Sequence, residues 1–266
     1  MEVMRIEELS FEKCKSSNWF KKDVVFQLGP IDLSVNRGET IAIIGENSSG
    51  KSLLAKLLVG AVPPTTGTIW LHERKDGRDA KISGPECRAG DIRMMFQQTS
   101  EAMNPGIPVG RILDEPLKLN TNIPQTERIA IIEETLIKVG LLREHYHFYR
   151  HMLSDGQQQR IAMARALLLN PKVIVADEPF AALDPSIRSQ TVNLFLKLQQ
   201  EMGLAFIFIS HNLGIVRHIA DKVIVMNEGQ IVESGDTETI FRWPKHMVTK
   251  KLIMSYQSLA AIKHQR

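Results

Sequence analysis

Gly45-Glu46-Asn47-Ser48-Ser49-Gly50-Lys51-Ser52 fits the pattern G-x-x-x-x-G-K-[ST], a loop built to hold phosphate. The apolar run Ile41-Ala42-Ile43-Ile44 leads into it and reads as a buried strand. Behind it, Leu53, Leu54, Leu57 and Leu58 recur at helical spacing. The loop therefore lies between strand and helix, the setting this motif needs. Gly45 and Gly50 let the backbone turn tightly and approach phosphate oxygens. Backbone N–H groups from Glu46 to Ser49, and the helix start, favour negative charge. Lys51 is expected to reach the β- and γ-phosphates, and the Ser52 hydroxyl to ligate Mg²⁺.

Working outward from the loop, Val173-Ile174-Val175-Ala176 is a second buried strand, ending in Asp177-Glu178. Beside a phosphate loop, Asp177 is a candidate Mg²⁺ holder, through water, and Glu178 a candidate to orient and polarise attacking water. A third apolar strand, Leu204 to Ile209, ends in Ser210-His211. A histidine at the C-terminal end of a parallel strand is placed to reach a γ-phosphate, although a lone histidine is more often structural or solvated. Ile92 to Phe96 is strand-like and ends in Gln97-Gln98, so Gln97 is a candidate ligand-facing residue.

The intervening stretch, residues 100 to 170, has helical periodicity, with Ile129, Ile132, Leu136 and Val139 on one face and Gly140 as C-cap. It reads as a helical insertion into an α/β domain. Near its end, Leu153-Ser154-Asp155-Gly156-Gln157 precedes a helix expected from about Ile161 to the stop at Asn170-Pro171. Ser154 and Gly156 are placed either to cap that helix or to bind an anion. Phe11, Trp19 and Phe20 are alternative candidates for stacking on a base. From Arg242 to Arg266 the chain is basic, and Val248, Leu252, Tyr256 and Leu259 share a helical face. That face is expected to pack on its own domain; lipid or partner docking is the alternative.

Composition sets the outer limits. A net charge of +3 over 266 residues gives no argument for nucleic acid. Cys14 and Cys87 are far apart, which disfavours a disulfide framework or a cysteine metal site. Met1 to Glu8 has no signal-peptide pattern, and no apolar run approaches the length of a membrane span. The expectation is a cytosolic chain, peripheral if it serves a membrane.

Taken together, the loop at Gly45, Gln97, Leu153-Ser154-Asp155-Gly156-Gln157, Asp177-Glu178, Leu183-Asp184 and His211 resemble ABC-type ATPases in order and spacing. Phe96-Gln97-Gln98-Thr99 with Met103-Asn104-Pro105, and Pro244-Lys245-His246 with Thr249-Lys250, resemble the oligopeptide and dipeptide transporter group. Trp19-Phe20-Lys21-Lys22, Leu117 to Thr121 and His151-Met152-Leu153 look most like its Sap-type peptide transporters. The resemblance implies an α/β P-loop NTPase of ABC type, with a mixed β core, a helical subdomain and an antiparallel β subdomain. Residues 1–241 would form the ATP-binding domain, with the helical subdomain at about 100–170, and 242–266 a basic tail.

It further implies ATP and Mg²⁺ as ligands, the metal held by Ser52, Gln97 and Asp177, with Glu178, His211, Lys51 and Gln97 catalytic. Ser154, Gly156 and Gln157 would act in trans on ATP held by a related subunit, with Asp184 at the dimer contact. The implied partners are that related ATPase, transmembrane permease subunits and, indirectly, a periplasmic solute-binding protein. The place would be the cytoplasmic face of a bacterial inner membrane. One departure bears on this scheme: Asp155 stands where the family usually has glycine. A like charge about 4 Å from phosphate costs roughly 4 kcal/mol at an effective dielectric near 20, less when solvated.

Overall fold

The computed structural model describes residues 1–18, 21–75, 78–83, 90–95, 103–181 and 183–264, with side chains at 14–18, 21–24, 73–75, 78–83 and 259–264 not described. Trp19, Phe20 and the segment Phe96 to Thr99, including Gln97, lie outside the described residues.

Two sheets organise the chain. One is four-stranded and antiparallel, in the order β2 (Lys21–Asn36), β1 (Glu2–Asn18), β4 (Thr66–Lys75), β5 (Arg78–Ser83). The other is six-stranded, in the order β10 (Gln230–Asp236), β9 (Lys222–Asn227), β3 (Thr40–Gly45), β8 (Ala205–Ile209), β7 (Val173–Asp177), β6 (Ile92–Met95). Its strands β9, β3, β8, β7 and β6 are parallel, and only β10 runs antiparallel, at the edge.

All six residues of β3 are buried, as a strand covered on both faces requires. The pleat sends alternate side chains to opposite layers. Ile41 and Ile43 join Leu54, Leu57 and Leu58 of helix α1 (Lys51–Leu58) and the inner face of the antiparallel sheet, including Ile6, Leu28 and Ile69. Ala42 and Ile44 join the helical layer. That layer contains α2 (Val109–Asn120), α3 (Gln125–Lys138), α4 (Asp155–Leu167), α5 (Pro185–Met202), α6 (Leu213–Ile219), α7 (Thr237–Arg242) and α8 (Met247–His264).

Of the face predicted for α3, Ile132, Leu136 and Val139 are buried and Ile129 is half-buried, and Gly140 follows the helix with φ 75°. The helix expected from about Ile161 begins six residues earlier, at Asp155. The reason is local. Ser154 Oγ accepts from the Gln157 N–H at 3.3 Å, and Gln157 Oε1 accepts from the Ser154 N–H at 2.9 Å. This reciprocal capping box satisfies two donors that a later start would leave in a loop.

At the C-terminal end, Val248, Leu252 and Tyr256 pack against the helical core, and Ile253, absent from the expected face, is buried among them. Leu259 lies among the undescribed side chains. No described helix is long and apolar enough to cross a membrane.

Candidate nucleotide site

The parallel strands bring three sequence-distant segments to one edge of the sheet. β8 lies between β3 and β7, in register with Ile43 beside Ile209 and Asp177 beside Ile209. The loop after β3, Asp177-Glu178 after β7 and Ser210-His211 after β8 therefore emerge together. A cavity of about 400 Å³ at this edge is lined by Asn47 to Leu53, Asp177, Glu178, His211 and Phe26.

The loop's shape depends on its glycines. Gly45 has φ 155° and Gly50 has φ 101°. A Cβ on Gly45 would drive into the Met226 carbonyl oxygen, and one on Gly50 would press on Leu28 and Phe26. Gly50 caps α1 without a side-chain bond, leaving the helix's first amides free to face an anion. The Gly229 N–H donates to the Ser49 carbonyl at 2.9 Å and braces the loop from the β9–β10 turn.

Lys51 is buried at the foot of this loop. Its ammonium donates to Gly45 O at 3.0 Å, Glu46 O at 2.7 Å and Ser49 Oγ at 3.1 Å. Burial lowers its pKa, with Glu178 and Asp177 pulling the other way. Its hydrogen bonds go to neutral oxygens while Asp177 and Glu178 act on it from a distance, so a phosphate in the cavity would gain a direct charge partner in Lys51. At the loop's tip, Glu46 Oε1 meets Lys251 Nζ of α8 at 2.6 Å.

Asp177 is half-buried at the strand end, and Ser52 is exposed in the first turn of α1. The two oxygens suit a hard divalent cation that keeps most of its waters and takes further ligands from phosphate.

Glu178 carries the site's clearest strain. Its φ is 48°, a left-handed conformation unusual for glutamate, fixed by its N–H donating to the Ile209 carbonyl at 3.0 Å. The carboxylate is 12% exposed, and its Oε1 has no hydrogen-bond partner, standing 3.5 Å from His211 Nε2. Burial raises its pKa to about 7; the His211 backbone amide opposes this, the Asp177 charge adds to it, and Lys51 offsets part. The half-exposed His211 ring is held below its ordinary pKa by burial and by Lys51. Near neutral pH the pair thus holds a carboxyl close to its midpoint beside a neutral imidazole, the state suited to taking a proton from water.

Ser154 and Asp155 are exposed, and Gly156 sits where a Cβ would come within 2.9 Å of Ile187 on α5. None of Ser154, Gly156 and Gln157 is among the residues lining the loop's own cavity. Helix α4 is nevertheless tied to the cavity edge, since Gln159 Nε2 donates to the Pro179 carbonyl at 2.6 Å, next to Glu178. Asp184 is exposed at the start of α5. The structure thus brings Asn47–Ser52, Asp177, Glu178 and His211 together on the cavity, with Gly45 and Glu46 at the foot of the same loop, and leaves the Ser154 segment and Asp184 outside it.

Two points escaped sequence reasoning. Phe11, a stacking candidate, is not among the residues lining the cavity, whereas Phe26, packed against the same core cluster, is. The only signal for Phe26 was its alternation with Leu28 along β2. The Lys251 contact to the loop joins residues 205 positions apart and had no sequence signal.

Residues 28–181 match the ABC transporter family model. The Putrescine export system ATP-binding protein SapF of Escherichia coli strain K12 is 41% identical over 254 residues, covering 96% of this chain and 93% of that protein. The Dipeptide transport ATP-binding protein DppF of the same strain is 43% identical over 233 residues, covering 86% of this chain and 69% of that one. Among solved structures, cbiO1 from Clostridium perfringens, part of the ABC transporter complex cbiONQ, superposes with a TM-score of 0.74 at 27% identity, covering 99% of each chain. The chain belongs to the ABC transporter family, as an ATP-binding, ATP-hydrolysing subunit.

Proposed function

We propose that this subunit powers a bacterial transporter for peptides or other small cationic solutes, working as a pair with a related ATPase against transmembrane permease subunits. The observation that carries the hydrolytic reading is the convergence of Lys51, Asp177, Glu178 and His211 on one cavity at the C-terminal edge of the parallel strands. The cargo class follows the names of the relatives: SapF is named for putrescine export and DppF for dipeptide transport. Place and remaining partners follow the same resemblance, namely the cytoplasmic face of the inner membrane and, indirectly, a periplasmic solute-binding protein. Residues 1–241 are taken as the ATP-binding domain, with an insertion at about 100–170, and 242–266 as its basic tail.

In this reading the amides of Glu46 to Ser49 and α1 cradle the phosphates, and Lys51 trades its loop oxygens for β- and γ-phosphate oxygens. Ser52, Gln97 and Asp177 would hold Mg²⁺, which would supply neutralisation of phosphate charge. Glu178 orients a water in line with the γ-phosphorus and takes its proton as the new P–O bond forms and the bond to the leaving ADP oxygen breaks. His211 holds a γ-phosphate oxygen. Ser154, Gly156 and Gln157 lie outside their own loop's cavity, which supports their service to the partner's nucleotide, with Asp184 beside the same contact.

Asp155 then places a carboxylate on the face offered to that nucleotide. An Asp155→Gly variant is expected to raise ATP turnover of the pair several-fold at low salt, with the gain shrinking as salt is added. Its melting temperature should fall slightly, because an acidic residue in the first turn of α4 favours the helix. Steady-state turnover at two ionic strengths checks this; unchanged turnover at both would make Asp155 a harmless neighbour. The reading as a whole is tested by ATP-driven uptake or release of labelled peptide and putrescine in vesicles containing the assembled transporter. Flux of neither would remove the cargo assignment.

A further inference from the structure

We propose that Gln159 is the positioning residue for Glu178, holding the turn that aims its carboxylate. The inference rests on the reading above that Glu178 takes the proton of the attacking water.

Glu178 is loosely held by its own side chain. Its Oε1 has no hydrogen-bond partner among the described residues, and His211 Nε2 stands 3.5 Å away. The His211 backbone amide supports the carboxylate. Where the carboxylate points is therefore set chiefly by the backbone that carries it. That backbone leaves β7 with φ 48° at Glu178, pinned by its N–H bond to the Ile209 carbonyl at 3.0 Å. The chain then turns over Glu178-Pro179-Phe180-Ala181, closed by the Ala181 N–H donating to the Glu178 carbonyl at 3.2 Å. Proline suits the second place of such a turn. Phe180, at the third, is buried and fixed by ring contacts to Phe195 and Phe208.

With both ends held, the freedom left to the turn is rotation of the peptide plane between Pro179 and Phe180. Gln159 removes it. The residue is 5% exposed on α4, and its Nε2 donates to the Pro179 carbonyl at 2.6 Å. A carbonyl only accepts, so the amide must turn its NH₂ this way. Without that donor a buried carbonyl would lack this partner, and the turn would shift toward another. A displacement of about 1 Å at a reacting group can cost about a hundredfold in rate. It would also let the Glu178 carboxylate move toward solvent, reducing the burial that raises its pKa. Gln159 touches no nucleotide in this scheme and acts only through Pro179.

The test is ATP turnover against pH by the full chain paired with its related ATP-binding subunit. Gln159→Met keeps the length of the side chain and removes the donor. It should lower kcat about tenfold or more with KM for ATP little changed. The midpoint of kcat/KM against pH should fall below the wild-type value of about 7. Gln159→Asn keeps the amide one methylene short and should act the same way more weakly; it decides the matter if Gln159→Met does not fold. Added to a Glu178→Gln chain, Gln159→Met should lower the residual turnover by less than about twofold, because the group it positions is gone. An unchanged kcat, an unchanged midpoint, or a full further loss in the Glu178→Gln chain would overturn the positioning role. Wild-type turnover in Glu178→Gln alone would instead remove the base itself. If Glu178→Gln stops turnover and Gln159→Met does not lower it, only the positioning role fails.

Discussion

Replacing Glu178 with glutamine is expected to stop steady ATP turnover while leaving ATP binding intact. Glutamine keeps the length of the side chain and one oxygen, but it cannot take a proton from water. General-base catalysis contributes about 10²–10⁴-fold, and turnover should fall within that range. The pH profile reports the same group. The carboxyl is raised to about 7 by burial, and the ionised form is the base, so wild-type kcat/KM, which follows the free enzyme, should climb as pH rises through about 7. Stability runs the other way. A raised carboxyl pKa makes a contribution that is fully present below the unfolded value, 4.5, and is lost as pH rises through about 7. The Glu178→Gln variant, which has no such charge to bury, should melt higher than the wild type at pH 8. The difference should close as pH falls toward 4.5. Phosphate release and melting curves over this range check both; wild-type turnover in the variant would remove Glu178 from its role.

Lys51→Ala should weaken ATP binding by about 10–100-fold, the loss of one or two charge-assisted hydrogen bonds to phosphate. The loss should be confined to the phosphates. Affinity for adenosine should not change, because Lys51 reaches only the β- and γ-phosphates in this account. The variant also removes the three bonds from Nζ to Gly45 O, Glu46 O and Ser49 Oγ that hold the free loop. Calorimetric titration with ATP and with adenosine separates the two effects. An equal drop for both ligands would mean that the lysine only supports the loop's shape.

Much of this site could be read along the chain, because its parts are coded locally. The loop at Gly45, the apolar β3 before it and the acidic pair after β7 are each contiguous, and each sits where a buried parallel strand ends. That all three share one edge follows from parallel pairing to β8, which apolar runs imply without stating the order. What the sequence did not show depends on distant contacts or on reciprocal bonds. The start of α4 at Asp155 is set by a capping box that apolar periodicity does not register. Phe26, which was not among the sequence candidates, lines the cavity from β2, while Phe11, which was, does not, although both pack against the same core cluster. The raised pKa of Glu178 arises from burial, and its φ of 48° is a separate feature; no residue pattern announces either.

The measurement that tests the account most directly is phosphate release by the purified full chain, alone and mixed with its related ATP-binding subunit, with ATP binding followed in parallel. Mg²⁺-dependent turnover is expected in the mixture, well above that of either chain alone and lost when this chain carries Glu178→Gln. ATP binding without phosphate release, in the mixture and with the permease subunits added, would contradict it and make the chain a nucleotide-binding regulator.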